Sequence, residues 1–140
     1  MRSEGNNELH VTSTHYDDQI ALDLVRGSQR TVAIHGCEGN ESVAYIGGSD
    51  DRLIELITES LEDIGISVRE APHHISGTQE NNIVNMTQTQ GGVQLELTAQ
   101  LRKELFKNRK SSRKNRENKD NWDDLMYDFA DAMKKAIERA

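Results

Sequence analysis

Two side chains in this sequence have the type and position for hydrolytic chemistry, and the first is a histidine. His35 ends the apolar stretch 32–35 and is followed at once by a glycine. Open α/β sheets form their binding crevices at the carboxyl ends of strands, so a histidine in this place is a candidate metal ligand. A histidine that only packs against a neighbouring carbonyl is the alternative. One histidine cannot hold a catalytic metal, because such sites use three protein ligands and a water.

Glu96 is the second candidate, and it lies in a stretch of alternating character. Residues 93–97 alternate between apolar and polar, which puts Gln94 and Glu96 on the same face of a strand. Two glycines at 91–92 allow the backbone to approach closely, so Glu96 could point into a cleft as a general base. A carboxylate that faces solvent is the alternative for a strand of this pattern.

Other polar residues near His35 allow a more local site. His35 and Glu38 have the His-x-x-Glu spacing found in zinc carboxypeptidases, and His73 or His74 could add a nitrogen ligand. This short pattern arises often by chance. Cys37 is interpreted as an inert thiol, since no base pattern lies close to it.

The composition predicts a single soluble domain. A chain of 140 residues with 34% hydrophobic content can bury one core of ordinary size. No stretch approaches the roughly 18 apolar residues of a membrane span, and the first residues contain no apolar signal segment. One cysteine excludes an internal disulfide. We therefore expect no membrane partner and a cytoplasmic location when the protein is made, followed by release on lysis.

The charge is unevenly distributed along the chain. The net charge is −7, but residues 102–119 hold nine Lys/Arg and two Asp/Glu. The rest of the chain holds eight Lys/Arg and 22 Asp/Glu. A basic segment in an acidic chain can bind a polyanion, either nucleic acid or an acidic polymer. Its composition also predicts a mobile, solvated segment at about 103–120. A non-catalytic polyanion-binding module is thus the alternative function.

Periodicity predicts strands alternating with helices, and hence an α/β architecture. Strands are expected at 9–13, 32–35, 43–46, 66–68 and 93–97. Residues 70–92 are polar and rich in glycine, which predicts a long surface loop with a short extended piece at 83–84. His10 and His15 flank the first strand and its turn, where polar packing is expected.

Three helices are predicted, of which the second is the clearest. It is capped by Ser49 or Asp50 and stops at Gly65. The first, at 17–26, has an apolar stripe made of Ile20, Ala21, Leu24 and Val25. The last, an amphipathic helix at about 121–138, has a stripe made of Trp122, Leu125, Phe129, Met133 and Ile137.

Several segments resemble the phage-associated poly-γ-glutamate hydrolases, which are zinc-dependent amidohydrolases similar in fold to zinc carboxypeptidases. The matching pieces occur in the family's order. They are EG at 4–5, NELHVTSTHYD at 7–17, AIHG at 33–36, YIGG at 45–48, NIVN at 82–85, GGVQLEL at 91–97 and LR at 101–102. The resemblance covers about residues 4–102 and implies a mixed parallel and antiparallel sheet flanked by helices.

The resemblance also implies roles for individual residues. His35 corresponds to a ligand of a single Zn2+ ion, and Glu96 to the carboxylate that activates the zinc-bound water. His15 matches a recurring family position, and we expect it to support the metal ligands without binding the metal itself. Glu38 falls outside the family's ligand set. The implied substrate is poly-γ-glutamate or a γ-glutamyl peptide, and nucleic acid is the less favoured partner.

The departures from the family predict a defective site. The family has a glycine-rich His…Glu segment ahead of the Glu-Gly pair at 4–5, and this segment supplies two of the three zinc ligands. The present sequence begins after that point, so we expect an N-terminally truncated, inactive form. An arginine that follows the NIxN element in the family is replaced by Met86, which places recognition of a substrate carboxylate in doubt.

Overall fold

The protein forms a four-stranded sheet with helices packed against it. The computed structural model describes residues 10–140. The strands are β1 (Val32–Cys37), β2 (Val43–Gly48), β3 (Ser67–Glu70) and β4 (Val93–Thr98), in the spatial order β1-β4-β2-β3. Strand β1 runs parallel to β4 and β2 parallel to β3, whereas β2 and β4 are antiparallel. The predicted mixed α/β sheet is confirmed.

One face of the sheet is apolar and covered by helices. The helices are α1 (Gln19–Arg26), α2 (Asp51–Asp63), α3 (Ala99–Glu104), α4 (Arg113–Arg116) and α5 (Asp124–Arg139). Helices α2 and α5 contribute Leu53, Ile57 and Phe129 to a core that also contains Leu95 and Ile46. Because alternate residues of a strand point to opposite faces, Gln94 and Glu96 are directed away from this core.

Helix α2 forms as the sequence predicts. Asp50 Oδ1 accepts a hydrogen bond of 3.0 Å from the backbone N–H of Leu53 and so caps the helix. Gly65 has a φ of +82°, the left-handed conformation expected of a glycine that follows a helix. These local signals fix both ends of the helix.

The first predicted strand is wrong where the structure describes it. Leu9 lies outside the described residues, and residues 10–13 contain no strand. The side chain of Thr12 accepts a hydrogen bond from the backbone N–H of Thr14 and caps a 3-10 turn at Ser13–His15. The backbone is thus held by a local side-chain contact rather than by a neighbouring strand.

Helix α1 is confirmed, but half of its predicted apolar stripe is wrong, since only Ala21 and Val25 of its members are half-buried. Leu22 is the buried residue of this helix, whereas Ile20 is 75% and Leu24 69% exposed. The helix contacts the 3-10 turn at Ile83–Asn85 and does not belong to the main core. Its orientation therefore depends on a segment that is distant in sequence.

The segment between β3 and β4 is a packed structure rather than a surface loop with an extended piece. It contains two 3-10 turns, His73–Ile75 and Ile83–Asn85, and the second replaces the expected extended piece at 83–84. Asn85 Nδ2 donates to the carbonyls of Gly77 and Gln79 at 2.7 and 3.0 Å. Hydrogen bonds from a buried amide side chain thus order this segment, although its polar composition predicts a surface loop.

The C-terminal third contains the basic segment and α5. Two 3-10 turns at Lys107–Arg109 and Lys119–Asn121 flank α4, and Phe106 pairs with Trp122 in an isolated antiparallel bridge. Helix α5 is confirmed but begins after its cap, Asp123, so Trp122 of the predicted stripe lies before the helix. Among residues 10–140, no helix combines the length and hydrophobicity that a membrane crossing requires.

Candidate functional site

The polar face of the sheet brings the two candidate residues together. His35 of β1 is the register partner of Glu96 of β4, and Glu96 is in turn the partner of Tyr45 of β2. Residues paired across neighbouring strands project to the same face. Both His35 and Glu96 line one cleft of about 270 Å³ above that face.

The walls of this cleft are rich in histidines and amides. Its histidines are His10, His35, His73 and His74, and its amides are Gln79, Asn82 and Gln94. Glu96 is the one carboxylate among the described residues that line it, although the whole chain contains 24 acidic residues. The cleft therefore has fewer acidic side chains than the rest of this acidic protein.

Glu96 is buried rather than directed into solvent. Only 7% of the residue is exposed. Burial raises the pKa of the Glu96 carboxyl above its ordinary value, and His35, a hydrogen bond from Gln94 and the charge of Arg102 oppose the rise only in part. A carboxyl group in this state is a better proton acceptor than an exposed one, as a general base requires.

Gln94 holds Glu96 through a chain of buried hydrogen bonds. Gln94 Nε2 donates to Glu96 Oε1 at 3.3 Å and to the carbonyl of Ile75 at 3.1 Å. Gln94 Oε1 accepts from Asn82 Nδ2 at 3.1 Å. All three polar residues of this chain are less than one tenth exposed. The amide thus links the strand to both 3-10 turns that cover the cleft.

Close backbone packing positions β4 beneath these turns. Gly92 lies where a β-carbon would stand 2.0 Å from the carbonyl oxygen of Val84. Its N–H donates to Asn85 Oδ1 at 3.1 Å. The glycine pair before Glu96 therefore allows the close approach that the sequence predicts.

The local His-x-x-Glu site does not form. His35, His73 and His74 line the cleft, but Glu38 is exposed and does not. Glu38 follows the last residue of β1, Cys37, so the strand does not direct its side chain into the cleft. His15 is also exposed and outside the cleft lining, so its supporting role stays a prediction.

Cys37 has the character of a structural thiol. Burial, followed by the charge of Glu96, raises the pKa of the Cys37 thiol, and Arg102 opposes the rise. A raised pKa lowers the thiolate population that a nucleophile needs. Cys37 also does not line the cleft.

Sequence reasoning did not identify Gln94 and Asn82 as site residues. Gln94 stands two positions before Glu96, so its place on the same face was visible in the alternation. Nothing in the sequence indicates that Asn82 donates to it, because the two are joined by the path of the intervening segment.

The comparisons decide the family. The sequence model described as poly-gamma-glutamate hydrolase matches residues 1–132. The chain belongs to the poly-gamma-glutamate hydrolase family. This match extends beyond residue 102 and spans the basic segment.

Individual relatives support this assignment. The chain is 36% identical over 108 residues to the SPbeta prophage-derived UPF0714 protein YoqZ of Bacillus subtilis (strain 168). A solved bacteriophage poly-gamma-glutamate hydrolase superposes with a TM-score of 0.91 at 32% identity, covering 99% of this chain. YNDL in its apo, zinc-free form gives a TM-score of 0.87 at 28% identity over 98% of this chain.

The chain spans only part of these family members. The match covers 76% of this chain but 39% of YoqZ. It covers 66% of the phage hydrolase chain and 67% of the YNDL chain. The fold is therefore shared over nearly all of this chain, while part of each relative has no counterpart in it.

Proposed function

We propose that this chain carries the His35 and Glu96 part of a site that hydrolyses γ-glutamyl amide bonds in poly-γ-glutamate. The observation that supports the proposal is the buried Glu96 carboxyl, which lies beside His35 in a cleft lined by histidines and amides. Glu96 would accept a proton from the water that attacks the amide carbonyl and return it to the leaving amine. Gln94 would hold the carboxylate in place during both transfers.

The resemblance implies zinc, which the described residues do not hold by themselves. A catalytic zinc site needs three protein ligands. Within residues 10–140, no three His, Cys, Asp or Glu side chains converge as a metal site. His35 is the candidate ligand, and Glu96 is its neighbour. These residues do not fit zinc by themselves, and we propose that the chain alone leaves poly-γ-glutamate uncleaved.

A chimera tests the assignment of Glu96. Residues 10–140 would replace the matching 66% of the phage hydrolase chain, whose remaining part is kept. We expect this chimera to shorten poly-γ-glutamate in size-exclusion chromatography and to lose activity with EDTA. Glu96→Gln should slow cleavage by about 100-fold or more, the usual contribution of a positioned general base.

The control is Glu80→Gln, which makes the same change at an exposed position outside the cleft lining. It should leave the rate unchanged. A Glu96→Gln chimera that cleaves as fast as its parent would show that Glu96 is not the base. Efficient, chelator-sensitive cleavage of poly-γ-glutamate by residues 1–140 alone would contradict the proposal that this chain lacks enough zinc ligands.

A further inference from the structure

A second concave surface lies beside the carboxyl end of β1. It is a groove of about 240 Å³ lined by Arg102 and Lys103 of α3 and by Ser111 and Arg116 of the basic segment. We call it the basic groove. Arg102 Nη2 donates to the carbonyl of Cys37 at 3.0 Å, so the groove begins two residues beyond His35.

The basic segment folds back on itself to close this groove. The bridge between Phe106 and Trp122 joins its two ends, and the N–H of Asp123 donates to the carbonyl of Leu105 at 3.0 Å. Trp122 Nε1 donates to the carbonyl of Arg116 at 2.8 Å. The indole therefore fixes the backbone of Arg116, one of the residues that line the groove.

The cations of the basic groove form no ion pair with a carboxylate in the described part of the chain, although the charge of Arg102 acts on Glu96. The ion pairs among residues 10–140 involve none of Arg102, Lys103 and Arg116. Residues 102–119 hold nine Lys/Arg against two Asp/Glu, in a chain whose net charge is −7. The groove is lined by these three basic residues together with the apolar Ala99, Leu105 and Phe106. Arginine is suited to carboxylates, which it binds in a bidentate manner.

We infer that the basic groove binds carboxylates of a γ-glutamyl polymer that extends from the cleft. This inference rests on the proposed function for the choice of polymer. Single-stranded nucleic acid would need open aromatic faces on which bases stack. The Trp122 ring instead lies 5.9 Å from the Tyr127 ring with Lys119 Nζ 5.5 Å above it, and Phe106 is half-buried. The groove favours a polycarboxylate.

Binding can be measured on the full chain without any metal. Residues 1–140 in EDTA are titrated with poly-γ-glutamate, and Trp122, the only tryptophan, reports binding by fluorescence. The double variant Lys103→Gln/Arg116→Gln should bind about tenfold more weakly, with a shallower dependence on salt, because two counterion-releasing contacts are lost. Lys134→Gln/Lys135→Gln removes the same charge from α5 and should bind within about twofold of wild type.

The outcomes separate the groove from the active site. Equal weakening by both double variants would overturn the inference, because it would show a response to net charge alone. Unchanged affinity of the groove variant would overturn it as well. Tighter binding of duplex DNA than of poly-γ-glutamate would identify a nucleic-acid surface instead. The binding measurement needs no cleavage, so it can be interpreted even if the chimera fails to hydrolyse the polymer. If the double variant does not fold, Lys103→Gln alone replaces it.

Discussion

His35 and Glu96 are direct partners in the parallel register of β1 and β4. They are separated by 61 positions in sequence, and the register brings them to the same side of the sheet. A shift of one residue in either strand would send one of the two into the helix-covered core. The chemistry proposed for this chain therefore depends on strand pairing as much as on residue type.

Glu96→Gln is expected to stabilise the folded chain at neutral pH. The folded-state pKa of Glu96 is raised, chiefly by burial, so the favourable contribution of its protonated form is complete below the ordinary value of 4.5 and is lost as the pH rises through the folded pKa. Glutamine keeps the shape and does not ionise. Urea unfolding at pH 7 should therefore have a higher midpoint for Glu96→Gln than for wild type.

The same variant should show no such gain at pH 4, where the wild-type carboxyl is largely protonated in both states. Glu80→Gln changes an exposed carboxylate and serves as the control at both pH values. A destabilised Glu96→Gln variant at pH 7 would mean that the carboxylate has a stabilising partner that outweighs its burial.

Gln94→Leu is expected to destabilise the chain by about 3 kcal/mol, because buried polar atoms lose their partners. The substitution leaves Asn82 Nδ2, Glu96 Oε1 and the carbonyl of Ile75 without the amide that joins them. The midpoint of urea unfolding measures the effect. Gln100→Leu is the matched control, since Gln100 bonds Glu104 on the partly buried side of α3 and should cost less than about 1 kcal/mol. Equal losses of stability in the two variants would show that the hydrogen bonds of Gln94 stabilise the fold no more than the bond between Gln100 and Glu104.

Local signals explain what could be predicted from the sequence. Asp50 and Gly65 mark the ends of α2 because a cap and a left-handed residue act within one turn of the chain. The alternation around Glu96 likewise depends on neighbouring residues, whereas the glycine after His35 does not end β1, which continues to Cys37. These features correctly placed both residues on strands and predicted the α/β class.

Long-range contacts explain what the sequence did not reveal. The side of α1 that is buried depends on its contact with the turn at Ile83–Asn85, and the order of the segment before β4 depends on Asn85 reaching distant carbonyls. No periodic pattern records such contacts. The number of metal ligands also could not follow from the residues alone, and it came from the family resemblance.

Gly92→Ala is expected to be severely destabilising, by more than about 3 kcal/mol. A β-carbon at this position would lie 2.0 Å from the carbonyl oxygen of Val84, an atom of the backbone that cannot rotate away. Thermal unfolding or soluble yield measures the loss. Gly65→Ala is the control, because Gly65 has open space around it and the change costs only the left-handed strain of about 1–2 kcal/mol. Similar stabilities of the two variants would show that the segment before β4 can move away from the strand.

Trp122→Phe is expected to open the basic segment. Phenylalanine keeps an aromatic ring beside Tyr127 but cannot donate to the carbonyl of Arg116. A hydrogen bond of this kind contributes about 1 kcal/mol, so the open population and the rate of tryptic cleavage within 107–116 should rise about fivefold. Cleavage is followed by mass spectrometry under native conditions.

Tyr127→Phe is the control for this measurement, because it keeps the ring that packs on Trp122 and removes only a hydroxyl group. Its cleavage rate should equal that of the wild type. The experiment also tests the mobility that composition predicts for residues 103–120. If wild type is cut as fast as Trp122→Phe, the segment opens freely despite the contacts of the indole, and the basic groove would exist only for part of the time. Slow cleavage of wild type, accelerated by loss of the indole N–H alone, would establish that the bond between Trp122 and Arg116 keeps the wall of the groove in place.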